Sequence, residues 1–216
     1  MSTRRNGQRS YHSPVREAAA ARTRDTVVRA AAGLFADLGW TGTTMAQVAA
    51  AAGVSQKTVE ALYGTKAALL EGAVDFAIRG DAEAVGMPAR EPVRRIEAAP
   101  DARTMLRLHA AHLRSVNARS AGIAWTVEQA AAADPAVGRL WRRMNDNRRF
   151  AVGWATSTLL AKPGRRRGLR RRDVEASFWV ALDWATYRTL AQQAGLTPAR
   201  YEAWLNAYYR AVFLPS

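Results

Sequence analysis

The chain has 216 residues, 49% of them apolar, and carries a formal net charge of +14. That composition excludes a disordered chain and predicts a folded protein with one sizeable core or two smaller ones. The absence of cysteine excludes disulfides and thiolate metal sites and fits a reducing, cytoplasmic setting. The positive excess points to a polyanionic partner.

Residues 1–12 read as a flexible basic arm, followed by a domain at 13–64 and a second at 65–216. The arm is polar and has no apolar stretch of the kind that marks a secretory signal. Ser13-Pro14 supplies an N-cap and a proline at the first helical position. In the helix that follows, Val27, Ala31, Leu34, Phe35 and Leu38 share one face at 100° per residue, and Gly39 is the expected stop. Thr43 and Thr44 are candidate caps for a short second helix with Met45, Val48, Ala49 and Ala52 inward. Gly53 permits a left-handed turn. Ser55 caps a third helix that buries Val59, Leu62 and Tyr63 and ends at Gly64. Thr65 caps a fourth, carrying Leu69, Leu70, Ala73, Val74, Ala77 and Ile78.

Gly80, Gly86, Pro88, Pro92 and Pro100 mark 79–100 as a linker. Asp101 opens a fifth helix, and a shorter sixth covers about 122–133. Asp134-Pro135 opens a seventh. Residues 162–172 form an arginine-rich loop, Asp173 opens an eighth helix and Thr197-Pro198 a ninth. No strand-like alternation appears and no apolar run is long enough to span a membrane, so the fold class is all-α.

The second helix, the glycine turn and the third helix form a helix-turn-helix pattern. Gln56, Lys57, Thr58 and Glu60 group at the N-terminal end of the third helix, where free backbone N–H groups favour phosphate and side chains reach base edges. The plainer reading is a solvated polar face on a helical corner.

Residues 22–78 resemble the N-terminal domain of the TetR family of bacterial transcriptional regulators. The matching stretches are "VVRAAAGLFADLGWTGTTMAQVAAAAGVS", "KTV", the aromatic Tyr63 and "TKAALL". The resemblance implies a helix-turn-helix domain followed by a helical ligand-binding and dimerisation domain. It implies a homodimeric repressor of a palindromic operator, released by a small-molecule inducer. Double-stranded DNA is the implied partner. Thr43 or Thr44 matches the position that caps the second helix and touches phosphate. Gln56, Lys57 and Thr58, beside the cap Ser55, match positions that reach bases and backbone, and Lys66 matches a phosphate contact. Arg22 and Arg24 continue the basic arm, which either follows the DNA or is solvated. Glu60 departs from the family, which has a Tyr there. Its carboxylate either pairs with Lys57 or accepts from a cytosine amino group.

In the fifth helix, Met105, Leu108, His109, His112, Leu113 and Val116 fall in one arc, opposite Arg103, Arg107 and Arg114. His109 and His112 are therefore either core histidines or polar groups of a ligand pocket. No third ligand is fixed beside them, so no metal is expected, and no other cofactor. With Trp125, Met144 and Trp154 they make the expected pocket, suited to a small, largely apolar or aromatic inducer. Phe178 and Leu182 on the eighth helix, and Trp204, Leu205 and Tyr208 on the ninth, are the expected dimer interface. No HExxH, phosphate-cradling glycine loop or Glu-x-x-His pair is present, so no enzyme is expected. The rival reading is a sequence-independent anion binder using its arginine-rich segments on nucleic acid or a membrane surface, whose binding would weaken steeply with salt.

Overall fold

Ten α-helices and no strand are present among the residues that the computed structural model describes, 14–81 and 86–215. The arm at 1–12 lies outside them. Helix α1 (Pro14–Gly42) starts at the predicted proline, and its backbone leaves helical geometry at Gly39 (φ 72°, ψ −173°). Helices α2 (Met45–Ala52), α3 (Gln56–Tyr63) and α4 (Lys66–Arg79) follow as expected. Each carries the predicted N-cap type: the Thr44, Ser55 and Thr65 side chains accept from the N–H three residues on. Each such cap contributes about 1 kcal/mol, which matters in helices of eight residues.

Three expectations need correction beyond this point. The linker at 79–100 contains a short 3-10 turn (Met87–Ala89) and helix α5 (Glu91–Glu97), which buries Val93 and Ile96. Pro92 does not prevent this, because it sits in the first turn, where no N–H is needed. The predicted fifth and sixth helices are one, α6 (Ala102–Ala130), about 43 Å long. Gly122 does not break it. The glycine lets α6 cross α1 closely: a Cβ there would sit 3.0 Å from the Ala36 Cβ. The third correction lies after α7 (Pro135–Ala161). The predicted eighth helix splits into α8 (Arg171–Ala181) and α9 (Trp184–Tyr187), the latter running into a π-helical turn, Arg188–Gln193. Asp183 makes the break. Its carboxylate caps α9 at the Ala185 N–H and holds Arg148 at 3.2 Å, while Arg148 also donates to the Trp179 carbonyl. Helix α10 (Pro198–Phe213) closes the chain.

Two apolar cores result. The first joins α1–α4 to the C-terminal half of α6 and the N-terminal half of α7, through Val27, Phe35, Val48, Val59, Leu69, Ile123 and Met144. The second joins α5 and α8–α10 to the other halves of α6 and α7, through Met105, Leu159, Phe178, Tyr201, Leu205 and Phe213. The two long helices thus run through both cores, and α4 packs in the first core with the helix-turn-helix.

Candidate nucleic-acid interface and an adjoining cavity

Thr44 begins α2, the first helix of the helix-turn-helix, with a reciprocal cap. Its hydroxyl accepts from the Gln47 N–H, and the Gln47 side chain accepts from the Thr44 N–H at 2.8 Å. Thr43 is different. It is fully buried, and its hydroxyl donates to the carbonyls of Leu34 and Gly39. That corrects its assignment as a cap: Thr44 alone caps α2, and Thr43 locks the end of α1. Gly53 turns the chain in the left-handed region (φ 66°), the conformation in which a side chain would be strained.

Ser55 then opens α3. Val59 is fully buried and Thr58 half-buried, while Gln56, Lys57 and Glu60 are exposed. Glu60 accepts from the Gln56 amide at 2.7 Å. Of the two partners considered, Lys57 is therefore not the one found; the carboxylate is oriented by Gln56 within one polar row. Lys66, the first residue of α4, lies with its ammonium 4.3 Å from the centre of the Trp40 ring. Partial burial lowers its pKa, and Asp134 opposes the shift. Trp40 was not singled out from the sequence; its one signal is an aromatic beside the Gly39 break. Arg22 and Arg24 are exposed on α1.

A cavity of about 740 Å³ opens between α4, α5 and α6. Arg79, Asp81, Arg90, Arg94, Leu108, Ala111, His112 and Arg119 are among its lining. Arg119 ties α6 to the end of α4, donating to the carbonyls of Ala77 and Ile78 at 3.1 and 3.2 Å. On the other side of α4, Arg143 of α7 pairs with Glu71 and Asp75. Arg119 follows His112 by seven residues and so lies on the same face of α6, a spacing that could have found it.

The five expected pocket residues do not share one cavity, although His109 and Trp154 lie with ring centres 6.2 Å apart. His112 alone lines the cavity. His109 is buried among Trp154, Phe178 and Tyr209, with Nδ1 2.9 Å from the Tyr209 hydroxyl. Trp125 is exposed under the Arg188 guanidinium, Met144 lies in the first core, and Trp154 donates to Glu97. Burial pushes the His109 pKa down to about 3, with His112 adding to the shift; burial and then the Arg119 charge push His112 down to about 4. Among the described residues no group of three or more His, Cys, Asp or Glu could hold a metal ion.

Residues 27–73 match the family model described as bacterial regulatory proteins, tetR family. That match covers the helix-turn-helix and its flanking helices, less than a quarter of the chain. The whole chain has the TetR-family fold. It superposes on a TetR transcriptional regulator from Chloroflexus aurantiacus with TM-score 0.62 and 18% identity, over 92% of this chain and 100% of that one. It is similar to NalD, the secondary repressor of the MexAB-OprM multidrug efflux pump in Pseudomonas aeruginosa (TM-score 0.65, 18% identity, 92% and 98% covered). A third similar structure is a transcriptional regulator from Saccharomonospora viridis in complex with choline (TM-score 0.66, 15% identity, 90% and 99% covered). A search of curated proteins gives no match.

The residues expected at a TetR-like dimer interface divide into two groups. Phe178 and Leu205 are fully buried in the chain's own second core, and Leu182 is nearly so. Trp204 and Tyr208 are half-buried and stacked, with ring centres 5.5 Å apart. Beside them α10 presents Ala203, Ala207 and Ala211 outward, and α8 presents Ala176 and Val180. The arginine-rich loop is partly committed: Arg166 holds the carbonyls of Ala211 and Leu214 at the end of α10.

Proposed function

We propose that this TetR-family protein is a homodimeric transcriptional repressor that binds a palindromic operator and is released by a small molecule entering the cavity beside α4. The observation that carries the reading is the row Gln56, Lys57 and Glu60. It is exposed at the N-terminal end of α3, on a helix whose Val59 is locked into the core. Those side chains, the capped helix start and the nearby Lys66 are the groups that a helix in a major groove uses on bases and phosphates. The two α3 helices of a dimer would then read half-sites about 34–36 Å apart.

The dimer surface in this reading is the outward face of α8 and α10, where Val180 and the alanine row leave room for a second pair of helices to approach. Release follows if the ligand binds one α4 position better than another, because equal affinity shifts nothing. A similar regulator crystallised with choline supports a small-molecule ligand on this fold.

Selection of bound DNA from a random pool tests the reading. The expected result is an enriched imperfect palindrome that is retained at about 200 mM salt. Recovery of unenriched DNA whose binding vanishes with salt would instead support the sequence-independent anion binder.

A further inference from the structure

The cavity beside α4 is lined by both apolar and cationic side chains. Leu108 and Ala111 of α6 supply apolar lining, and Arg79, Arg94 and Arg119 line it too. The two acids of the described lining face arginines of the same lining, Asp81 holding Arg90 through two 2.7 Å bonds and Glu91 lying 3.8 Å from Arg95, which leaves Arg79, Arg94 and Arg119 in excess. Arg119 is bonded to carbonyls and to Ser115, all neutral, while the nearby Asp81 charge favours its cation and the Arg90 charge opposes it. The Arg79 Nε is buried without a hydrogen-bond partner among the described residues. A donor withdrawn from water and left unpaired is costly, and a charged acceptor is the group that best removes the cost.

We infer that this cavity binds an amphipathic organic anion, with its carboxylate or equivalent head group on the Arg79 guanidinium beside Arg119 and its apolar body along Leu108 and Ala111. The inference rests on the reading of the cavity as the ligand site of a regulator, and it names the class of ligand. It adds an anionic head group to the largely apolar or aromatic molecule expected from helix faces, because those faces did not show the arginines brought in by α4 and α5. His112 adds selectivity for shape. Burial and the Arg119 charge keep it neutral near pH 7, so it offers one donor and one acceptor rather than a charge. A cation of similar size would meet five arginines against two carboxylates among the described lining residues, both of them facing arginines.

Three probes with one body and different charge test this: 4-phenylbutyrate, its amide, and 4-phenylbutylamine. Each is titrated calorimetrically into the full-length protein without DNA, and 8-anilinonaphthalene-1-sulfonate serves as a second, bulkier anion read by fluorescence. The carboxylate should bind at least about tenfold more tightly than the amide, and the amine should not bind. Arg79→Gln should weaken the carboxylate about ten- to a hundredfold. Arg94→Gln, at an exposed position, should weaken it as well and covers the case in which Arg79→Gln fails to fold. Equal binding of amide or amine, indifference of the carboxylate to both substitutions, or no saturable binding of either anion at millimolar concentration would overturn the inference. Binding is read without DNA, so failure here with operator selection intact rejects the ligand class alone. Anion binding without sequence-selective DNA binding rejects the regulator reading instead.

Discussion

Acid should destabilise this protein through His109 in a way that one substitution can isolate. The imidazole is 1% exposed and enclosed by Trp154, Phe178 and Tyr209. Its pKa is pushed from an ordinary 6.5 to about 3 in the folded chain. The unfolded chain therefore binds a proton that the folded chain refuses, between about pH 6.5 and 3. The stability linked to this group is complete above pH 6.5, falls as the pH drops, and stops falling below about 3. At pH 5 the unfolded imidazole is almost wholly protonated and the folded one is not, which amounts to about 2 kcal/mol. His112 titrates in the same direction but lines the cavity, where solvent reduces its share. His109→Asn places an amide near the position of Nδ1, keeps a partner for the Tyr209 hydroxyl and removes the titration. Losing the ring costs about 2–4 kcal/mol at every pH, so the measurement is the difference in slope. Urea unfolding at fixed protein concentration, from pH 7 to pH 5, should lower the wild-type midpoint by about 1 M more than that of the variant. Parallel pH dependences for the two proteins would refute the argument, since carboxylates and His112 titrate in both.

Lys57→Ala should weaken operator binding, and Lys66→Ala should weaken it nearly uniformly across sequences while lowering the salt slope by about 1; gel shifts across a salt series read both. Glu60→Gln should relax preference at one base pair by roughly 1–3 kcal/mol, seen by repeating the DNA selection with the variant; an unchanged selected sequence would make Glu60 a solvated side chain oriented by Gln56. Ala207→Glu places a carboxylate on the outward face of α10 and should yield folded monomers in sedimentation, whereas Leu205→Glu would bury the charge in the chain's own core and unfold it.

The helix-turn-helix was legible because each of its signals is local. Thr44, Ser55 and Thr65 cap helices within three residues of themselves, and Gly53 turns the chain by its own φ. What sequence could not resolve depended on groups distant in the chain. Gly122 looked like a break until α1 was found packed against it through Ala36. Helix α8 looked longer because the Arg148–Asp183 pair that ends it comes from another helix. Phe178 and Leu205 share an amphipathic pattern with any interface residue; the pattern says that a side chain is covered, not whether its own chain or a second copy covers it. The cavity was hardest. Helical projection placed His109 and His112 in one arc, yet α10 covers the first and α5 leaves the second open, a difference that arises only when the chain is assembled.

In the proposed reading, helix α4 is the element through which the cavity and the DNA surface influence each other. It runs unbroken from Lys66 to Arg79. Its first residue is held over Trp40 at the end of α1, and its last turn is held by Arg119 and lines the cavity through Arg79. Arg143 fastens its middle to α7. A ligand that drew the Arg119 guanidinium toward itself would weaken bonds to the Ala77 and Ile78 carbonyls, and the helix would be free to shift as a rigid rod about its middle. A shift at one end of a packed helix appears at the other, because interiors at close-packed density do not absorb it locally. Lys66 and the α3–α4 corner would move relative to the partner protomer's copy. A small change in the separation of two recognition helices is enough to lose one half-site. The magnitude needed is modest: a thousandfold loss of operator affinity corresponds to about 4 kcal/mol of differential ligand binding, within the reach of a few charge-assisted hydrogen bonds made in one arrangement and not in the other.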